Sequence, residues 1–263
     1  MSIQSAIQPI EATLPLLPLA HTTYWDRFVS CVLNDKITPN SPCPRNNTTE
    51  VAYLFYGTSF YVLNDRSFLP DFLSRPVGLL FRSDTVNDMN VDTYPFDTGA
   101  YLTGRYEPII GQNPVELDKY VTSSNGVGQA AKLVKLFFHT NDDYLHGQPS
   151  RVDDKAQRCV KRVNELHFNK ANKNADSRCT AIEVLTTMDI SLNKNLEAVI
   201  VPKRTFDLES IKIPALEKGL NSKNIKIIKY GDTFRYGPSE DSRIIRELTF
   251  QYLMQSPRKY LES

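Results

Sequence analysis

Glu183 is a charge set into an apolar run, Ala181-Ile182-Glu183-Val184-Leu185. In a strand, Ala181, Glu183 and Leu185 share one face and Thr180, Ile182 and Val184 the other. Apolar neighbours on its own face argue against a carboxylate that simply meets water. Two earlier segments can supply partners: Leu19-Ala20-His21-Thr22-Thr23 and Tyr53-Leu54-Phe55-Tyr56-Gly57. A histidine, a tyrosine and a glutamate on three separate strands form a candidate site if the three converge. Singly, each has a plainer reading: a histidine satisfied at a strand end, a core tyrosine, a solvent-facing glutamate.

Other candidate groups are weaker. The block Tyr94-Pro95-Phe96-Asp97-Thr98-Gly99 either lines a site through Asp97 and Thr98 or is an Asx turn that supports one. His139 and His146 flank Asp142 and Asp143, but a separation of seven is not a helical ligand spacing, so no metal site is expected. Cys31 falls among apolar residues and reads as buried. Gly126-Val127-Gly128 lacks the Gly-Lys-Ser/Thr of a phosphate loop.

Strands are expected over Leu17–Thr23, Val51–Tyr56, Pro76–Arg82, Ala181–Thr186, Glu197–Pro202 and Ile225–Tyr230, where β-branched and aromatic residues cluster. Helices are expected over Tyr24–Asn34, parts of 113–138, Lys155–Phe168 and Ile244–Met254. In the first, Trp25, Phe28, Val29, Val32 and Leu33 fall on one face, and Thr22 or Thr23 suits its cap. Residues 1–18 read as an irregular lead-in. Strands and helices do not alternate regularly, which disfavours a doubly wound sheet or a (β/α)8 barrel.

The order strand, His-Thr-Thr, amphipathic helix, tyrosine-rich strand with Tyr56-Gly57, then the glutamate strand and Val-Ile-Val-Pro resembles the ADP-ribosyltransferase superfamily. Within it, the His-Tyr-Glu branch is most similar, with its DNA-targeting toxins and tRNA 2'-phosphotransferases. The resemblance implies an α+β fold, a split β-sandwich of two packed, mainly antiparallel sheets flanked by helices. It covers about residues 17–202 of a single domain spanning 1–263, leaving 203–263 as a C-terminal extension. The implied chemistry is loss of nicotinamide from NAD, the substrate, through an oxocarbenium-like transition state. Glu183 is then the catalytic residue, hydrogen-bonding the ribose and orienting or deprotonating the acceptor. His21 holds the adenosine-side ribose and Tyr56 walls the nicotinamide. Backbone groups at Thr22 and Gly57 meet the carboxamide, and Tyr61 and Arg178 complete the NAD-binding set. Arg82 and Arg105 are further candidates for the pyrophosphate.

The implied acceptor is DNA or RNA, in the manner of a toxin or phage-defence transferase, with an antitoxin or other protein partner. The basic stretch Arg158–Lys173 either meets a phosphate backbone or is an ordinary charged helix face. Ala181 stands two residues before Glu183, so no Glu-x-Glu or Gln-x-Glu pair is present, which argues against a protein arginine as acceptor. Alternatives are an NAD glycohydrolase, an RNA 2'-phosphotransferase, or an inactive interaction module of the same fold.

Composition sets outer bounds. The 263 residues carry a formal net charge of +1, with 41% hydrophobic and 23% charged residues, which fits a globular chain rather than a bulk electrostatic nucleic-acid binder. Its four cysteines form no Cys-x-x-Cys pair, so reduced thiols and a cytoplasmic setting are expected. No apolar run approaches the roughly 20 residues of a membrane span.

Overall fold

A computed structural model describes residues 2–60, 75–107, 109–168, 177–193, 195–231 and 238–261. In chain order the strands are β1 (Leu19–Tyr24), β2 (Lys36–Ile37), β3 (Ser41–Pro42), β4 (Glu50–Tyr56), β5 (Pro76–Phe81), β6 (Asn90–Tyr94), β7 (Thr122–Asn125), β8 (Glu183–Thr186), β9 (Ile190–Ser191), β10 (Leu196–Pro202) and β11 (Lys226–Tyr230). Among the described residues one sheet runs β11-β10-β5-β1-β4-β8-β6-β7, with β3 also on β4. Its ladders are antiparallel except β10–β11. β2 and β9 form a separate two-stranded antiparallel sheet. The chain is thus mixed α and β, with a large mainly antiparallel sheet, a small second sheet and flanking helices.

The helices are α1 (Ile3–Ile7), α2 (Trp25–Asn34), α3 (Thr98–Leu102), α4 (Gly128–Phe137), α5 (Asn141–Leu145), α6 (Arg158–Phe168), α7 (Lys203–Lys212), α8 (Pro214–Asn221), α9 (Pro238–Met254) and α10 (Pro257–Tyr260). Among the described residues no helix is long and apolar enough to cross a membrane. α2 buries Trp25 and Phe28, but Leu33 is 57% exposed and lies off the face assigned to it. Neither Thr22 nor Thr23 caps α2: the cap position is Tyr24, without a side-chain bond, and the Thr22 hydroxyl is hydrogen-bonded to that of Ser59.

Five strands were not expected: the two-residue β2, β3 and β9, and the longer β6 and β7. β6 and β7 carry Asn, Asp and Ser, which disfavour strands; pairing of β6 with the buried β8, and of β7 with β6, outweighs that propensity. α1 forms within the lead-in because Ile3 and Ile7, four apart, bury one helical face. Residues 203–263 contribute β11 to the main sheet, and α9 packs across β5, β10 and β11. Gly78 permits that approach: a Cβ there would lie 2.7 Å from Ile245 Cγ2. Asn141, buried on α5, donates its amide to the carbonyls of Pro15 (2.7 Å) and Tyr260 (2.9 Å), joining segments from opposite ends of the chain.

Candidate active site

β1 pairs with β5 along all of Leu19–Tyr24, but with β4 only at Leu19–Tyr56 and Ala20–Phe55. Beyond Ala20 the ladder to β4 stops. His21 Nδ1–H donates instead to the Tyr53 carbonyl at 2.8 Å. A cleft of about 590 Å³ opens at this split, within the size range of small-molecule sites. β1 contributes His21 and Thr22, α2 contributes Arg27 and Cys31, β4 contributes Tyr53 and Phe55, and Asp97, Gly99 and Glu183 complete the inner wall.

Glu183 sits in the middle of the sheet, level with Phe55 on β4 and Tyr94 on β6, so these three side chains share a face. It is 2% exposed. The N–H and hydroxyl of Thr98 both donate to Oε2, at 3.2 and 2.5 Å. No described residue donates to Oε1. Thr98 opens α3, whose N-cap is Asp97: Asp97 Oδ1 accepts the Ala100 N–H at 2.8 Å. The Asx-turn and site-lining readings of this block therefore both hold. Burial first, and the nearby Asp97 charge second, hold the Glu183 carboxyl well above its ordinary range, with the Thr98 bonds acting against them.

The His21 ring is half-buried, and burial lowers its pKa against the opposing effect of the Tyr53 carbonyl. With Nδ1–H committed to that carbonyl, a neutral ring presents Nε2 as an acceptor, which suits a ligand hydroxyl. Tyr53 donates its own hydroxyl to Pro42 O at 2.7 Å, and burial followed by the Glu183 charge pushes its phenol upward.

Of the residues assigned from sequence, His21, Thr22 and Glu183 come together in the cleft. Tyr56 and Gly57 are placed elsewhere. Tyr56 is fully buried, its hydroxyl accepts the Leu17 N–H at 2.9 Å, and its carbonyl accepts the Tyr144 hydroxyl at 2.7 Å. Gly57 has φ +80° and packs so closely that a Cβ would lie 3.1–3.2 Å from Leu17, Tyr144 and Leu145. Both belong to the core behind the cleft. Arg178 is half-buried in the turn before β8, where its carbonyl accepts the Asp97 N–H at 3.3 Å; its side chain is not part of the lining. Tyr61 lies outside the described residues. Arg82 is exposed and paired with Asp84, and Arg105 is exposed.

Sequence reasoning passed over Tyr53 and Arg27. Residues three apart in a strand face opposite ways, so only one of Tyr53 and Tyr56 can join Phe55 on the Glu183 face. Register decides it: Tyr53 stands opposite Leu185, two residues from the Glu183 pair, on the same face. Arg27, on the outer side of α2, reaches Asn40 Oδ1 at 3.5 Å and is the exposed arginine in the lining. Cys31 is only half-buried and also lines the cleft, but burial pushes its thiol up to about 11, which makes it a poor nucleophile. His146 is exposed beside Asp142, and among the described residues no cluster could hold a metal ion.

No family model matches this chain, and no curated protein does. Among solved structures it is similar to two of DarT from Thermus sp. 2.9. One, in complex with NAD+, is 7% identical with a TM-score of 0.42 over 83% of this chain and 97% of that one. The other, in complex with ADP-ribosylated ssDNA, is 10% identical with a TM-score of 0.44 over 84% and 98%.

Proposed function

We propose that this chain is an NAD-dependent ADP-ribosyltransferase that acts on nucleic acid, with Glu183 as its catalytic residue. The observation that carries this reading is convergence: His21, Tyr53 and Glu183, far apart in sequence, line one cleft where the β1–β4 ladder ends. The cleft offers what the substrate needs. His21 Nε2 accepts a ribose hydroxyl, Tyr53 and Phe55 give aromatic surface for a nicotinamide ring, and Arg27 supplies a cation for the pyrophosphate. Tyr53 takes the place first given to Tyr56, and Arg27 that given to Arg178.

In the reaction the C1'–N bond of the nicotinamide ribose breaks and its electron pair leaves with nicotinamide, which becomes neutral. The acceptor then bonds C1' and loses a proton. Glu183 Oε1 is positioned by Thr98 to hold the ribose hydroxyl as positive charge grows on the sugar. A cationic pyridinium bound beside Glu183 favours its ionised form, acting against the burial that raises its pKa.

The test is nicotinamide release from NAD by wild type and Glu183→Gln, alone and with single-stranded DNA, duplex DNA or RNA. Release that depends on Glu183 and rises with one nucleic acid supports the reading and identifies the acceptor. Free ADP-ribose at the same rate without acceptor would make the protein a glycohydrolase. No release and no NAD binding would leave an interaction module.

A further inference from the structure

Asp97 and Glu183 reach the same cleft from different parts of the chain, one from the β6–α3 connection and one from β8. Both are buried, at 4% and 2% exposure. α3 organises both: its cap bond fixes Asp97 Oδ1 on the Ala100 N–H, and its first residue, Thr98, fixes Glu183 Oε2. Glu183 is thus clamped through one oxygen, and the other has no donor among the described residues although the side chain lines the cleft. The backbone holds Asp97 as well, since its N–H donates to the Arg178 carbonyl at 3.3 Å.

We propose that Asp97 is a second catalytic carboxylate, the base that takes the acceptor's proton, while Glu183 holds the ribose. This rests on the transferase reading above and deepens it. In the step, the acceptor X–H forms an X–C1' bond as the C1'–N bond breaks, the electron pair departs with nicotinamide, and the proton passes to the Asp97 carboxylate and then to water. No oxidant or reductant is needed. Two carboxyls whose surroundings differ are the usual way one site holds both a proton and a base. Here the Glu183 carboxyl is held above its ordinary range partly by the Asp97 charge. The Glu183 charge acts on Tyr53 of β4 and Tyr94 of β6, and His21 of β1 and Arg27 of α2 line the same cleft.

Asp97→Asn tests the assignment, because Asn is as good an N-cap as Asp and preserves the α3 bond. Nicotinamide release and transfer to single-stranded DNA are measured for wild type and variant across pH 5–9, with NAD affinity and melting temperature as controls. The proposal expects transfer to fall about 100-fold or more, with affinity and melting temperature kept. Transfer within threefold of wild type would show that Asp97 only caps the helix. Should the variant fail to fold, Asp97→Ser, another good N-cap, decides by the same measurement: a fall of about 100-fold supports the assignment, and transfer within threefold of wild type overturns it. Wild type that releases no nicotinamide at all overturns the transferase reading itself, an outcome distinct from an active Asp97→Asn.

Discussion

Tyr53 and Tyr56 stand three residues apart on β4 and belong to two different regions. Tyr53 faces the cleft at the end of the β1 ladder. Tyr56 faces the core, where its hydroxyl and carbonyl bind Leu17 and Tyr144 and its N–H donates to Ile182 O at 2.9 Å. The difference teaches how one strand can separate chemistry from stability. Where the ladder is complete, polar groups are used up in joining segments. Where it stops, His21 takes over one carbonyl and the remaining groups are left to meet a ligand. Each prediction below breaks or sharpens that division.

The largest effect belongs to the cleft. Glu183→Gln should lower nicotinamide release about 10²–10³-fold without loss of fold. Its melting temperature should match or exceed that of wild type, and the gap should widen as pH rises. The sign follows from the raised pKa: the unfolded carboxyl ionises in the ordinary range while the folded one keeps its proton, so stability falls as pH climbs between the two. Glutamine removes that penalty. A variant that melts earlier at high pH would place Glu183 on the stability side of the division.

Next is a core histidine. His167, on α6, is 1% exposed, lies against the rings of Phe137 and Phe138, and donates Nε2–H to Pro95 O at 2.9 Å, two residues before Asp97. Burial lowers its pKa to about 4. Its contribution is complete above the ordinary histidine range and is lost as pH falls toward 4, by about 3 kcal/mol in all. Urea unfolding of wild type at pH 7, 5.5 and 4 should show that decline, and His167→Gln should flatten it.

Tyr56→Phe should cost about 1–3 kcal/mol, because the buried Leu17 N–H loses its acceptor. Nicotinamide release per folded molecule should hold. A loss of activity at unchanged stability would reassign Tyr56 to the cleft. The smallest effect is expected for Arg27→Ala: a roughly tenfold weaker NAD affinity with little change in melting temperature, since one exposed charge-assisted contact is worth about 1.5 kcal/mol. Titration calorimetry checks it.

Much of this division can be read from residue order. Glu183 stands out as a charge in an apolar strand, His21 and Thr22 follow from the resemblance in element order, and the structure puts all three in one cleft. β1, β4, β5, β8 and β10 were equally visible because their β-branched and aromatic content agrees with their burial. Tyr53 was hidden, since two tyrosines three apart on a strand differ only by the face that long-range pairing selects. β6 and β7 were hidden too, because polar residues such as Asn90, Asp92 and Ser123 are held in strands by the neighbour they pair with. Asp97 was legible as a turn residue, but its second place beside Glu183 needs the register of β8 against β6.

Asn141 has a mechanical consequence. One side-chain amide grips both Pro15 and Tyr260, so two segments far apart in sequence are tied to α5. That helix also carries Tyr144, whose hydroxyl is the acceptor for the Ile182 N–H at 3.2 Å, one residue from the cleft carboxylate. Pro15 and Tyr260 are thus joined to the strand that bears Glu183 by a short route of hydrogen bonds through α5.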